Sequence, residues 1–321
     1  MKKFLLLFLF TFLWSCNSDY DFDLGERQSG VKYTIDDEGD PVIENADTPE
    51  QRELFTFGAV GGFCYGYSTP DAQVAEIDIE IDFPEEYDLS EFLPEVRSQG
   101  KQGSCVAWAA GYYLKSFQEN HEDYQNGITT NSNEMSPAFI YNQVKSAGCD
   151  GGSVIQRALD TIVSQGIIEW SQMPYNENEC STQPQDFQIT LAGLNKIENY
   201  FYLDTISILE QTKAALLNDQ PVVIGVTVDR SYFGARDANG QYVYRKYKEG
   251  VGGHAMLVVG YNDQMNAFKV VNSWGKNWGN DGFLWIDYKA WEQAGDTEGD
   301  FGILCEAWIT NDVIISIPGA P

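Results

Sequence analysis

The apolar residues of this chain change their period partway along it, and that change limits the folds open to it. From Cys105 onward, Val106, Ala109, Ala110, Tyr113, Leu114 and Phe117 recur at helical spacing, with Gly103-Ser104 just before them. They predict a helix of about four turns whose first turn contains Cys105. A second helix is expected from about Ser153, carried by Val154, Ile155, Ala158, Leu159, Ile162 and Val163 and closed by Gly166. After about residue 195 the signal becomes short apolar runs bounded by turn residues, at 221–228, 255–261, 267–271 and 283–286, which read as strands. A helical half followed by a β half is an α+β arrangement of two lobes, and the cleft between two lobes is a favoured place for a site.

Ahead of that body lies a leader of different character. Lys2 and Lys3 precede the apolar run Phe4 to Trp14, which reads as a secretory signal and is too short to span a membrane comfortably. The following Ser15-Cys16 resembles the end of a bacterial lipobox, so the expected organisation is a lipoprotein signal over 1–15 and a lipid anchor on Cys16. A plain signal peptide with an incidental cysteine is the alternative. The acidic stretch 17–23 reads either as a surface-export signal of a bacterial outer membrane or as a solvated tether. Residues 17–95 hold 22 acidic residues against Arg27, Lys32 and Arg52, so −19 of the net −28 sits there. Residues 16–75 are accordingly read as an acidic tether. Residues 76–321 are read as the folded domain, with a helical lobe at about 96–190 and a β lobe at about 191–315. Strict alternation of Glu76, Asp78, Glu80 and Asp82 with Ile77, Ile79, Ile81 and Phe83 predicts a half-buried strand over 76–83, added to the β lobe.

Charge and histidine content remove several functions. A net charge of −28 does not suit nucleic-acid binding, which needs clustered Lys and Arg on phosphates. The two histidines, His121 and His254, make a multi-histidine metal site improbable, and no metal or cofactor is expected. His121 lies in an acidic, exposed-looking helix end, which leaves His254 for any imidazole chemistry.

A thiolate at a helix N-terminus is stabilised by the helix dipole and the N–H groups of the first turn, and Cys105 occupies that place. Six residues earlier Gln99 can offer an amide donor to a developing oxyanion. His254 follows Gly252-Gly253 at the mouth of an apolar strand. Asn272, eighteen residues later, can orient its ring, and Trp274 can shield that bond from water. Nucleophile, base and orienter are then all present for acyl transfer.

Four anchors in order, Gln99 to Cys105, Cys149-Asp150-Gly151-Gly152, Gly253-His254-Ala255 and Asn272-Ser273-Trp274-Gly275, resemble the papain-like cysteine peptidases over about residues 84–310. His254 follows Cys105 by 149 residues, within the roughly 130–150 of papain and its relatives. The resemblance implies a papain-like two-lobed fold, with a helical left lobe, a β-barrel-like right lobe and the active site between them. It implies Cys105 as nucleophile, His254 as general acid/base, Asn272 as orienter, and Gln99 with the Cys105 N–H as oxyanion hole. Gly151 and Gly152 would present backbone groups to substrate, with Trp274 beside them. The implied partner is a protein or peptide substrate, and an exported monomer tethered to a bacterial membrane through Cys16 is expected, with the outer membrane and cell surface as one location open to it.

Three departures stand out. Gln102 replaces a cysteine that in the family bridges to the position of Cys149; the loop holding Cys180 often carries a bridge cysteine, so the resemblance suggests Cys149–Cys180. Val106 replaces the aromatic residue after the nucleophile. No long helical propeptide matches residues 17–83. Cys64 and Cys305 are either paired with each other or reduced. Two other functions remain open for the same residues: an amidase or transferase on cell-wall peptides, and a catalytically silent binding module.

Overall fold

The computed structural model describes residues 72–229, 231–232, 243–245, 247, 250, 252–294 and 301–313, together with 32–35, 41–44 and 59. Helix α1 (105–125) runs through the helical half. Its stretch Ala107–Lys115 is wound as a π-helix and Ser116–Gln125 as an α-helix. Residues 105–117 are buried on every side, so their apolar residues are not confined to one stripe. Helices α2 (Pro137–Val144) and α3 (Ile155–Ser164) pack against α1. Gly111 permits that approach, since a Cβ there would lie 3.0 Å from Ile167 Cδ1 and 3.2 Å from Ile140 Cγ1. Ser136 caps α2 by accepting from the Phe139 N–H at 3.1 Å, with Pro137 at the first helical position. A short α4 (Asp186–Ala192) completes this half.

Two short strands, β1 (Lys32–Ile35) and β2 (Pro41–Glu44), pair antiparallel with each other. The remaining strands make one eight-stranded sheet. They are β3 (Glu86–Asp88), β4 (Ile197–Tyr202), β5 (Val222–Val228), β6 (Val243–Tyr244), β7 (Gly252–Asn262), β8 (Ala267–Val271), β9 (Phe283–Asp287) and β10 (Leu304–Asp312). Its order is β4-β10-β5-β7-β8-β9-β6, with β3 on β7, and every pairing is antiparallel except β6 with β9. Strands β5 and β7 are buried along nearly their whole length because α1 and α5 (Ile208–Leu217) both pack against them. That double cover explains why they read as continuous apolar runs and not as alternation. A last turn of helix, α6 (Lys289–Glu292), packs on α5.

The two halves are joined by a buried charge. Lys115, on α1, is 1% exposed, and its Nζ lies 2.6 Å from Asp312 at the end of β10 and 2.5 Å from Glu119. Removing either carboxylate would leave the buried ammonium paired with the other, so it is loss of Lys115 itself that would remove both ion pairs.

Three expectations meet the structure here. No strand forms over 76–83. Ile77, Ile79 and Phe83 are partly covered and the acidic residues exposed, but Ile81 is 38% exposed and that segment has no ladder partner. The leader instead touches the edge of β4 at 73–75, where Ala75 N–H donates to Tyr202 O and Tyr202 N–H to Gln73 O. The strand it contributes to the sheet is β3, beyond Pro84. Alternation reports which face is covered; it does not report a hydrogen-bonding partner. Within 16–75, read as an acidic tether, β1 and β2 pair antiparallel. The disulfide suggested by the resemblance, Cys149–Cys180, is formed, with Cα atoms 5.5 Å apart. Cys305 is also disulfide-bonded; Cys64, considered for it, lies outside the described residues, as do the signal and Cys16.

Glu306, on β10, faces Gly225 of β5, where a Cβ would lie 2.8 Å from its Cγ. It is 2% exposed and accepts from Trp308 Nε1 at 2.8 Å. Burial pushes its carboxyl up to about 7, and the Trp308 bond offsets this only in part. Between its ordinary value and 7 the fold therefore keeps a proton that the unfolded chain has released, and stability falls as pH rises through that window. Glu306→Gln should raise stability above pH 7.5 by an amount on the order of 3 kcal/mol, and the melting temperature with it, and change both little near pH 4. Thermal melts of both proteins across pH 4–8 check this, and a gap independent of pH contradicts it.

Candidate active site

Cys105 is the first residue of α1 and is fully buried, with a reduced thiol. The turn before it is tight. Gly103 N–H donates to Cys149 O at 3.2 Å, and a Cβ on Gly103 would sit 2.8 Å from Asp150 O. Only glycine lets the turn before Cys105 lie this close to the 149–152 backbone. The Ser104 hydroxyl is 2.7 Å from the Tyr175 hydroxyl, which donates to Gln99 O at 2.7 Å. Burial above all holds the phenols of Tyr141 and Tyr175 well above their ordinary range, so both remain hydrogen-bond donors.

From the β half, β7 brings in His254, paired with Val226 of β5 and fully buried. Its Nε2 is 2.7 Å from Asn272 Oδ1, which also accepts from the Ser273 N–H at 2.7 Å. Two donors thus converge on one amide oxygen, which places the neutral ring's proton on Nε2 and makes Nδ1 the basic nitrogen. The Trp274 ring lies over the imidazole, 4.6 Å between centroids and tilted 31°, and Trp278 meets Trp274 edge-on at 5.3 Å. Burial lowers the imidazole to about 4, with the Asn272 bond pulling the other way.

Gln99 joins the halves. It is fully buried, and its backbone N–H donates to Ser273 O at 2.8 Å. The Ser273 hydroxyl donates to its Oε1 at 2.5 Å, and its Nε2 donates to Gln102 O at 2.9 Å. The first of these bonds fixes which way the amide faces. On the other wall, Tyr141 hydroxyl contacts both Cys149 O and Gly151 O at 2.7 Å, holding the Gly151-Gly152 backbone.

The residues singled out in sequence are thus brought together through Gln99, Ser273, Asn272 and His254 on one side, and Cys105, Gly103 and 149–152 on the other. His121 stands apart, against Phe92 and Phe117. Sequence reasoning missed Ser273, Tyr141 and Tyr175. Ser273 stood inside a quoted motif; the two tyrosines carry no local signal. Among the described residues, no group of three or more His, Cys, Asp or Glu is arranged to hold a metal ion, and no helix is long and apolar enough to cross a membrane.

One leader residue lies in this region. Ala59 is 3% exposed; its N–H donates to Gly253 O at 3.2 Å, and it pairs in parallel with Ser153. It therefore sits between the residue before His254 and the residue after Gly152. A tether alone does not account for that contact.

Comparison with known proteins gives a consistent picture. The model of a family described as papain family cysteine protease matches residues 83–298. An uncharacterized peptidase C1-like protein of Acanthamoeba polyphaga mimivirus is 29% identical over 239 residues, covering 70% of this chain and 73% of that protein. A cysteine protease of Blomia tropicalis is 26% identical over 269 residues, covering 80% and 75%. The chain spans less of gamete and mating-type specific protein A of Dictyostelium discoideum, 41% of its length at 28% identity and 62% of this chain. Among solved structures, xylellain, a cysteine protease from Xylella fastidiosa, superposes with a TM-score of 0.65 at 24% identity, over 83% of this chain and all of that one. A procathepsin B from Trypanosoma congolense gives 0.61 at 19%, over 81% and 87%. At these identities the two structures speak for the fold.

The seat of Ala59 carries its own expectation. Limited digestion that removes the chain N-terminal to residue 72 should raise the initial rate on a short peptide, because it clears Ser153 and Gly253. The course of activity during digestion, followed beside the fragment masses, is the check; a flat or falling rate would show that the seat does not limit access.

Proposed function

This chain belongs to the papain family of cysteine proteases, and we propose that it hydrolyses peptide bonds through a Cys105 thiolate and the His254 imidazole. The thiolate attacks the scissile carbonyl carbon, and the carbonyl pair moves onto oxygen. The Gln99 amide and the Cys105 N–H donate to that oxyanion, an interaction made only as the charge develops. As the C–N bond breaks, the His254 imidazolium gives its Nδ1 proton to the departing amine, leaving a thioester on Cys105. Water then attacks the thioester and passes a proton to Nδ1, the C–S bond breaks, and the acid leaves. Asn272 keeps Nε2 engaged throughout, so that the same nitrogen donates and accepts. Gly151 and Gly152 offer backbone groups to the acyl side of the substrate.

The observation that carries this reading is the bond between His254 Nε2 and Asn272 Oδ1, fully buried under Trp274. A merely structural histidine does not need an amide orienter on one nitrogen that leaves the other as the basic one. We also propose, from the sequence, that Cys16 carries a lipid anchor; metabolic labelling with a radioactive fatty acid should mark the full chain and not Cys16→Ala.

Cys105→Ala should abolish hydrolysis of a fluorogenic peptide while leaving the melting temperature within a few degrees, since alanine fits a helix start. Turnover by the purified variant would sink the assignment. The pH dependence follows from the pair as a unit. Thiol with imidazole, and thiolate with imidazolium, reach the same state on gaining one more proton, so they share one acid-side step. With the imidazole at about 4, that step falls at about 4 or below. The acid limb of kcat/KM should therefore have its midpoint there; a midpoint near 6.5 contradicts the burial of His254.

A further inference from the structure

Gln102 takes part in no step above, yet it stands at a junction of the cleft wall. It is 1% exposed, and its Nε2 donates to Asn176 O at 2.8 Å and to Glu179 O at 3.0 Å. Its own carbonyl is the group on which the Gln99 amide rests, at 2.9 Å. Gly103, the next residue, donates to Cys149 O, and Cys149 is bonded to Cys180, which follows Glu179. These links close a ring: the Gln102 side chain, Glu179-Cys180, the disulfide, Cys149, Gly103, and Gln102 again.

In the family this position holds a cysteine bridged to Cys149. Here Cys149 has turned to Cys180, and the amide of Gln102 spans the gap with both of its N–H groups. Resting on the peptidase reading above, we infer that Gln102 is a positioning residue for the oxyanion donor, a hydrogen-bonded replacement for that cross-link. The path is short. The loop that Gln102 grips also carries Tyr175, whose hydroxyl donates to Gln99 O and meets Ser104 beside the nucleophile. Releasing Asn176 and Glu179 frees Tyr175, and with it both the backbone of Gln99 and the carbonyl that holds its side chain. A buried amide bonded to two carbonyls fixes the separation of the segments, whereas an apolar side chain of equal size fills the space without fixing it. A displacement of about 1 Å in a reacting group can cost about 100-fold in rate.

The test compares the full chain with Gln102→Met, which keeps the volume, and Gln102→Asn, whose shorter amide does not reach both carbonyls. Turnover of a fluorogenic peptide is read beside the rate at which a small alkylating agent consumes Cys105. Gln102→Met should lose about 10- to 100-fold in kcat, with KM changed less than about threefold and alkylation nearly unchanged, because alkylation develops no oxyanion. Gln102→Asn should fall between it and the wild type. Normal kcat in folded Gln102→Met overturns the inference. So does an equal loss of turnover and alkylation, which marks general damage to the nucleophile. Failure of both variants to melt cooperatively overturns it too, since positioning requires the fold to outlive the side chain. Absence of turnover by the wild type is a different result, which sinks the peptidase reading itself.

Discussion

The Tyr113 hydroxyl, about two turns into the helix that begins at Cys105, donates to the carbonyl of Asn272 at 3.0 Å. That single bond ties the helix bearing the thiol to the strand end bearing the orienter of His254. It lies wholly within the core, where exchange with water does not weaken it, and burial keeps the phenol protonated by pushing it up. Around it the two halves are stitched again, by Gln99 N–H to Ser273 O, by Gly275 N–H to Arg97 O, and by Lys115 to Asp312 farther off. A cleft between separately folded halves would otherwise open and shut with their relative motion. Here its floor is a set of backbone bonds that neither half can satisfy alone.

Charge is handled differently inside and outside. Most of the acidic surplus, −19 of −28, lies in residues 17–95, where Glu76, Asp78, Glu80 and Asp82 are exposed. Within the cleft the bonds that fix geometry are neutral: hydroxyls, amides and carbonyls. Burial drives the ionisable groups that remain toward their uncharged forms, His254 downward and Glu306 upward. A thiolate and an imidazolium in such surroundings would each depend on the other's charge, so the proposed proton transfer from Cys105 to His254 would leave a pair and not two isolated ions. The π-helical stretch of α1 and the aromatic layer of Trp108, Tyr112 and Trp170 add a rigid, dry wall behind the nucleophile.

The departures from the family pattern sit in one patch. Losing a cysteine at Gln102 and pairing Cys149 with Cys180 alters how the wall is cross-linked and leaves its shape in place, because the Gln102 amide occupies the gap. Val106, in place of an aromatic, is fully buried, and Trp108 two residues on fills the neighbouring space against Tyr175.

The sequence by itself determined the class of fold, the central helix, four of the strands, and Gln99, Cys105, His254 and Asn272 as candidates. Each of these announces itself locally, through a period of apolar residues or a reactive side chain beside a tight turn. It did not reveal β10, whose run is interrupted by Cys305 and Glu306, two residues that look polar and are buried. It placed a strand at 76–83 that is not there, because alternation records a covered face and says nothing of a partner. The tyrosines at 113, 141 and 175, the Ser273 hydroxyl on Gln99, the grip of Gln102 and the seat of Ala59 were decided by tertiary structure alone. All are contacts between segments far apart in the chain. A hydrogen bond of that kind depends on where two backbones are brought, and no local pattern of residues encodes that distance.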